Sequence, residues 1–210
     1  MSRQELHSLS LRIWHWVNTA LILLLIITGV RLMIPDLHLI FDYRGAVLLH
    51  KRIGFAMAGS FIFWLSYSIA TGSLGKYYPI RSRDLRGFFL QARYYAFGVF
   101  TGGTNPFPAT AKEKFNPLQK IAYLSTMLFF TPVIVISGIF YSNIMLFRHT
   151  ILLVGGVRML DAIHLATAYI FANYFIVHVY MSTMGRTPFS HVKEMLTGRQ
   201  DHPETAAEED

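Results

Sequence analysis

The 210-residue chain contains no cysteine. This excludes disulfides, thiolate-held iron–sulfur clusters, cysteine-containing zinc sites, covalent c-type haem attachment and S-acylation within it. Charge is scarce as well, at 15% of residues, whereas 53% are hydrophobic and the mean hydropathy is +0.38. A soluble domain of this size carries more charge than that. Any metal-containing group must therefore be held by nitrogen, oxygen or methionine sulfur, and the nine histidines become the donors of interest. Acidic residues are few outside one place: five of the twelve (Asp201, Glu204, Glu208, Glu209 and Asp210) fall in the last ten positions. Without that tail the chain has 19 basic against 7 acidic residues, an excess that in so apolar a sequence belongs beside a bilayer rather than on nucleic acid.

Four stretches, about 13–34, 46–71, 121–147 and 162–184, are long and apolar enough to cross a hydrocarbon core as helices. The first is longer than a signal-peptide core and lacks a small-residue cleavage site after it, so it reads as a retained span. With the N-terminus inside, thirteen Lys and Arg fall on the cytoplasmic side and six outside, which predicts that both termini are cytoplasmic. The expected fold is an all-α membrane protein, a four-helix transmembrane bundle forming one domain over 1–198, with an acidic, disordered tail at 199–210. The connection at about 72–116 is long for a bundle and should carry structure of its own. Within it, the aromatic-rich run from Gly87 to Phe100, which includes Arg93, predicts an interfacial helix, and 102–108 predicts turns.

Ionisable residues inside membrane spans are functional candidates, and His15, His50, His164 and His178 qualify. His164 and His178 are fourteen residues apart, which on a helix is about 21 Å along the axis and within about 40° of one face. Depth then pairs His15 with His178 on the cytoplasmic side and His50 with His164 on the outer side. Two stacked bis-histidine sites are what an electron path across a bilayer through two b-type haems requires. Gly29, fourteen residues after His15, and Gly54, one turn after His50, would leave room for the edge of such a ring. A histidine in a span also serves packing or hydrogen bonding, and a haem-free, His-lined metal transporter is the alternative from a different class. His7, His38, His149, His191 and His202 lie in tails, loops or interfaces and are expected to be solvated.

The segments from Arg12 to Trp16, Leu49 to Gly54, Lys114 to Lys120, Ile163 to His164 and Val177 to Met181 give the chain a resemblance. It resembles the di-haem cytochrome b subunits of membrane-bound formate dehydrogenases, the gamma subunits, and the related thiosulfate-reductase cytochromes b, over roughly residues 8 to 198. The resemblance implies two haem b groups, with His50 and His164 as outer ligands and His15 and His178 as cytoplasmic ligands. It also implies a menaquinone or ubiquinone site at Asn116 and Gln119, an iron–sulfur partner on the outer face, and a catalytic subunit carrying the main substrate chemistry. The gamma subunit has Gly where this chain has Leu118, and the segment before Asn116 and the short acidic tail are closer to the thiosulfate-reductase or unassigned members. Asn116 followed by Pro117 equally predicts an ordinary helix cap. Arg31, Arg44, Lys51 and Arg52 are candidate partners for outer haem propionates, and Arg12, Lys120 and Arg186 for cytoplasmic ones; the alternative for each is a positive-inside or snorkelling residue. The expected role is a membrane anchor and electron-transfer subunit of a respiratory oxidoreductase in a bacterial inner membrane. Its neighbours there are lipids, redox partners and quinone, with no nucleic acid. A self-contained di-haem oxidoreductase passing electrons between quinone and a small donor such as superoxide is the nearest alternative.

Overall fold

A computed structural model describes residues 8–37, 42–72, 74, 82–108, 116–184 and 187–198. The expected tail at 199–210, part of the long connection, and His7, His38, Arg186 and His202 lie outside the described residues. The described residues are helical almost throughout. Four helical stretches are long and apolar enough to cross a membrane: Leu9–Met33, Tyr43–Ala70, Pro117–Ser142 and Gly156–Ser182.

Helix α1 (Leu9–Met33) begins at Ser8, whose Oγ accepts from Leu11 N, so the helix starts a turn before the apolar run does. Helix α2 (Tyr43–Ala70) is capped by Asp42, which accepts from Gly45 N at 2.9 Å. The run from Gly87 to Phe100 is helical only in part: α3 (Ser82–Ala96) starts five residues earlier and ends four residues sooner, and a short 3-10 turn over Gly98–Thr101 follows. Exposed Leu85, Phe89 and Leu90 share it with Asp84 and Gln91, which are buried.

The third span is composite: α4 (Pro117–Ser125), a π-helical turn (Thr126–Phe130) and α5 (Thr131–Ser142). Pro132 explains the turn. It has no N–H to donate and its ring would strike the carbonyl four residues back, so the helix widens there. Thr131 Oγ1 donates to Thr126 O at 2.8 Å, across the widened turn. This span begins at 117 rather than 121 because the Asn116 cap and Pro117 start it early. It ends at 142 rather than 147, with turns leading into the short α6 (Arg148–Leu153).

The fourth span, α7 (Gly156–Ser182), starts six residues before the apolar run suggested, since Arg158 and Asp161 lower the local hydropathy without breaking the helix. Gly155 and Gly156 separate it from α6 with φ of 103° and 82°, a backbone that a β-carbon would strain. Helix α8 (Ser190–Thr197) follows the last span.

Helix α1 packs along α2, α5 along α7, and α2 against α5. Polar contacts fix these pairings inside an apolar setting. Asn18 Nδ2 donates to Ser60 Oγ at 2.9 Å, Trp64 Nε1 donates to Tyr123 OH at 2.8 Å, and Lys51 Nζ caps the end of α5 through Ser142 O at 2.8 Å. Such bonds replace water that a bilayer does not supply. The spans bury little of themselves, with 11 to 28% of their apolar windows inside the bundle, as side chains facing lipid require.

Candidate functional site: two imidazole pairs on one helix

The uninterrupted α7 carries His164 near one end and His178 near the other, about 21 Å apart along the axis. Each meets a histidine of another helix. His15 of α1 and His178 have ring centroids 6.1 Å apart, and His50 of α2 and His164 have centroids 6.4 Å apart. The pairs expected from depth are thus the pairs brought together. Metal–imidazole bonds are about 2 Å long, so two imidazoles on opposite sides of one metal ion place their ring centroids about 6 Å apart.

Aromatic side chains wall both pairs. Trp16 meets His15 edge-on at 5.3 Å and Tyr174 stacks on His178 at 5.9 Å, while Tyr141 meets His164 edge-on at 5.6 Å. Tyr141 is in turn tied to α7 by donation to Asp161 Oδ1 at 2.9 Å.

Glycines border the outer-pair imidazoles. A β-carbon on Gly29 would lie 3.6 Å from His50 Cε1, and one on Gly54 would meet nothing in the protein within 4 Å. Gly138 has the same relation to His164 as Gly29 has to His50, its β-carbon position lying 3.5 Å from His164 Cε1. Gly138, Thr28 and Ser137 escaped the reading of the sequence. The signal was there as two hydroxyl–glycine dipeptides, Thr28-Gly29 and Ser137-Gly138, in different spans.

These residues fit a haem: the facing imidazoles of a pair would hold its iron through neutral nitrogen donors, and at the His50/His164 pair Gly29 and Gly138 would leave space beside the rings. Among the described residues no group of three or more His, Asp or Glu gathers as a bare ion would need. Arg12, three residues before His15 and hence on a neighbouring face, has a buried Nε without a hydrogen-bond partner, suited to an anionic propionate. Three of the cations named for such a role are engaged elsewhere: Arg31 Nη1 donates to Pro35 O at 2.7 Å and its guanidinium lies over the Tyr43 ring, Lys51 donates to Ser142 O, and Lys120 pairs with Asp84 at 3.1 Å. His191, expected to be solvated, is exposed and pairs with Glu194 at 3.1 Å.

Asn116 and Gln119 form a reciprocal cap at the start of α4. Asn116 Oδ1 accepts from Gln119 N at 2.8 Å, and Gln119 Oε1 accepts from Asn116 N at 3.1 Å. Asn116 Nδ2 donates to Tyr95 OH, and Tyr180 OH donates to Tyr95 O at 3.1 Å. Tyr180 lies two residues beyond His178, so this relay ties the start of α4 to the His178 end of α7.

Comparison with known proteins agrees with this geometry. Residues 6–198 match the family model described as prokaryotic cytochrome b561. A protein of Escherichia coli (strain K12) that bears the name "Putative cytochrome YdhU" is 33% identical over 204 residues, covering 94% of this chain and 74% of that protein. No solved structure matches the chain significantly. With four spans, paired imidazoles and a family match over nearly its whole length, the chain belongs to the prokaryotic cytochrome b561 family and is a multi-pass bacterial membrane protein that transfers electrons on b-type haem.

Proposed function

We propose that the chain is the membrane anchor and electron-relay subunit of a quinone-linked respiratory oxidoreductase, holding two b haems, one per imidazole pair. The observation that carries this reading is the placement of two facing imidazole pairs at opposite ends of one transmembrane helix. Each haem, when bound, cycles between ferric and ferrous iron and so passes one electron at a time. His15 and His178 hold the cytoplasmic group, with Arg12 beside it, and His50 and His164 hold the outer one. The inner membrane is the site of action and both termini face the cytoplasm, in keeping with the distribution of Lys and Arg.

Quinone binds at the His178 end, against the start of α4. The cap uses the oxygen of Gln119 and not its amide N–H groups, which are donors suited to a quinone carbonyl. Protons for quinone chemistry come from cytoplasmic water at that end. An iron–sulfur subunit on the outer face exchanges electrons with the His50/His164 haem, and a catalytic subunit of formate dehydrogenase or thiosulfate-reductase type supplies the substrate chemistry. The cysteine-free composition supports such a division of labour, because iron–sulfur clusters cannot be ligated by thiolates of this chain.

A pyridine haemochrome assay on the purified chain tests the cofactor content. About two b haems per chain are expected, and one or none would overturn the relay. Isolation in mild detergent tests the rest: a redox subunit should copurify, and a partnerless, fully active chain would overturn the subunit role.

A further inference from the structure

The two hydroxyl–glycine dipeptides stand in the same relation to the two imidazoles of the outer pair. Thr28 Oγ1 lies 2.8 Å from His50 Nδ1, and Ser137 Oγ lies 2.8 Å from His164 Nδ1. The adjoining glycines, Gly29 and Gly138, lie against the Cε1 edges of the same two rings. Both hydroxyl residues are buried, at 0% and 4% exposure, so water does not compete for these bonds.

Each hydroxyl also touches a carbonyl of its own helix: Thr28 Oγ1 is 2.7 Å from Leu24 O, and Ser137 Oγ is 3.1 Å from Ile134 O. A hydroxyl has one proton, and a carbonyl oxygen can only accept. Were that proton given to the ring nitrogen, hydroxyl and carbonyl oxygens would face each other at close range as two acceptors in a dry interior, a costly arrangement. The proton therefore goes to the carbonyl, and the hydroxyl oxygen accepts from the ring. Nδ1 then carries the imidazole hydrogen, which leaves the Nε2 lone pair unprotonated and able to bind a metal.

We propose that Thr28 and Ser137 are positioning residues that hold His50 and His164 in the Nδ1–H tautomer, with both Nε2 lone pairs ready for the shared haem iron. The inference rests on the reading that this pair holds a b haem, and it assigns the two residues a further effect. A ring that donates from Nδ1 is a more basic ligand at Nε2, which favours ferric iron and lowers the potential of that haem. Because each hydroxyl is itself donating to a carbonyl, it is polarised into a better acceptor. The helix backbone thus reaches each imidazole through two hydrogen bonds.

Potentiometric redox titration and electron paramagnetic resonance of the full-length chain in detergent test this. In Thr28→Val, which keeps the shape without the hydroxyl, and in Ser137→Ala, the reduction equilibrium of the outer haem should shift about tenfold toward ferrous iron. For a one-electron couple this is about 59 mV upward. The ferric signal of that haem should change, that of the His15/His178 haem should not, and Thr28→Ser should restore the wild-type potential. An unchanged outer haem in both variants, at wild-type haem content, would overturn the proposal. If Thr28→Val loses the outer haem, its recovery in Thr28→Ser supports the role of the hydroxyl, and equal loss in Thr28→Ser overturns it. A wild-type chain without an outer haem would give a different result from all of these, and would overturn the underlying relay instead.

Discussion

His178 and Gly54 show what single side chains do in this bundle. His178 meets His15 across the bundle and stacks on Tyr174, so His178→Ala removes one donor while leaving the His50/His164 pair intact. Such a variant should contain one haem instead of two and lose reaction with quinone, with the outer haem still reducible by dithionite. Both haems retained in an absorbance spectrum would contradict the pairing. Gly54 offers a different kind of test, since a side chain there meets no protein atom within 4 Å. Gly54→Leu should therefore leave the polypeptide folded and inserted, yet lower or abolish incorporation of the outer haem, because the added bulk enters the space for the ring edge. Normal haem content in Gly54→Leu would show that the macrocycle lies elsewhere. The pairing of the four histidines and the place of Gly29 beside His50 were legible from spacing alone, since a continuous helix converts residue number into depth and direction. Gly138 was not, because no histidine on its own helix marks its level; only the packing of α5 against α7 brings it to His164.

Among the helices, α3 and α4 are joined to the His178 end of α7 through Tyr95, which meets Asn116 and Tyr180. Gly87 of α3 is one point of close approach: a β-carbon there would come within 2.6 Å of Pro117 Cγ and 2.9 Å of Phe107 Cζ. Gly87→Val should push α3 away from α4, with faster limited proteolysis of the connection and an unchanged haem spectrum. The cap at the start of α4 allows its two roles to be separated. Gln119→Glu keeps an acceptor for Asn116 N and loses the amide donor, whereas Gln119→Ala loses both. If Gln119 serves quinone, both variants should raise the KM for quinone roughly tenfold, in line with the ~1–3 kcal/mol of an unmet hydrogen bond. Only Gln119→Ala should also lower thermal stability, as loss of a helix cap does. The cap itself was readable as Asn followed by Pro. The π-helical turn in the third span was not anticipated, since Pro132 could have been met by a kink instead; the bond from Thr131 to Thr126 O accompanies the widened form.

At the scale of the whole molecule, four helices are long and apolar enough to cross a membrane, and four crossings would bring both ends of the bundle to the same face. With thirteen cationic residues assigned to one side and six to the other, that face should be cytoplasmic. Reporter fusions after residue 198 test this: a fused cytoplasmic fluorophore should be bright and a fused periplasmic phosphatase inactive, and the reverse would invert the relay. The sequence by itself determined the number of spans, their approximate limits, the absence of thiolate chemistry and the four histidine depths, because hydropathy, composition and helical rise are local properties of the chain. Tertiary structure decided which helices face each other and brought Thr28 and Ser137 to the outer imidazoles. It also turned Lys120 to Asp84 and left Arg12, one turn before His15, with a buried nitrogen. Those are outcomes of packing between segments distant in sequence, where a hydrogen bond depends on the relative rotation of two helices, and neither helix carries that rotation in its own sequence pattern.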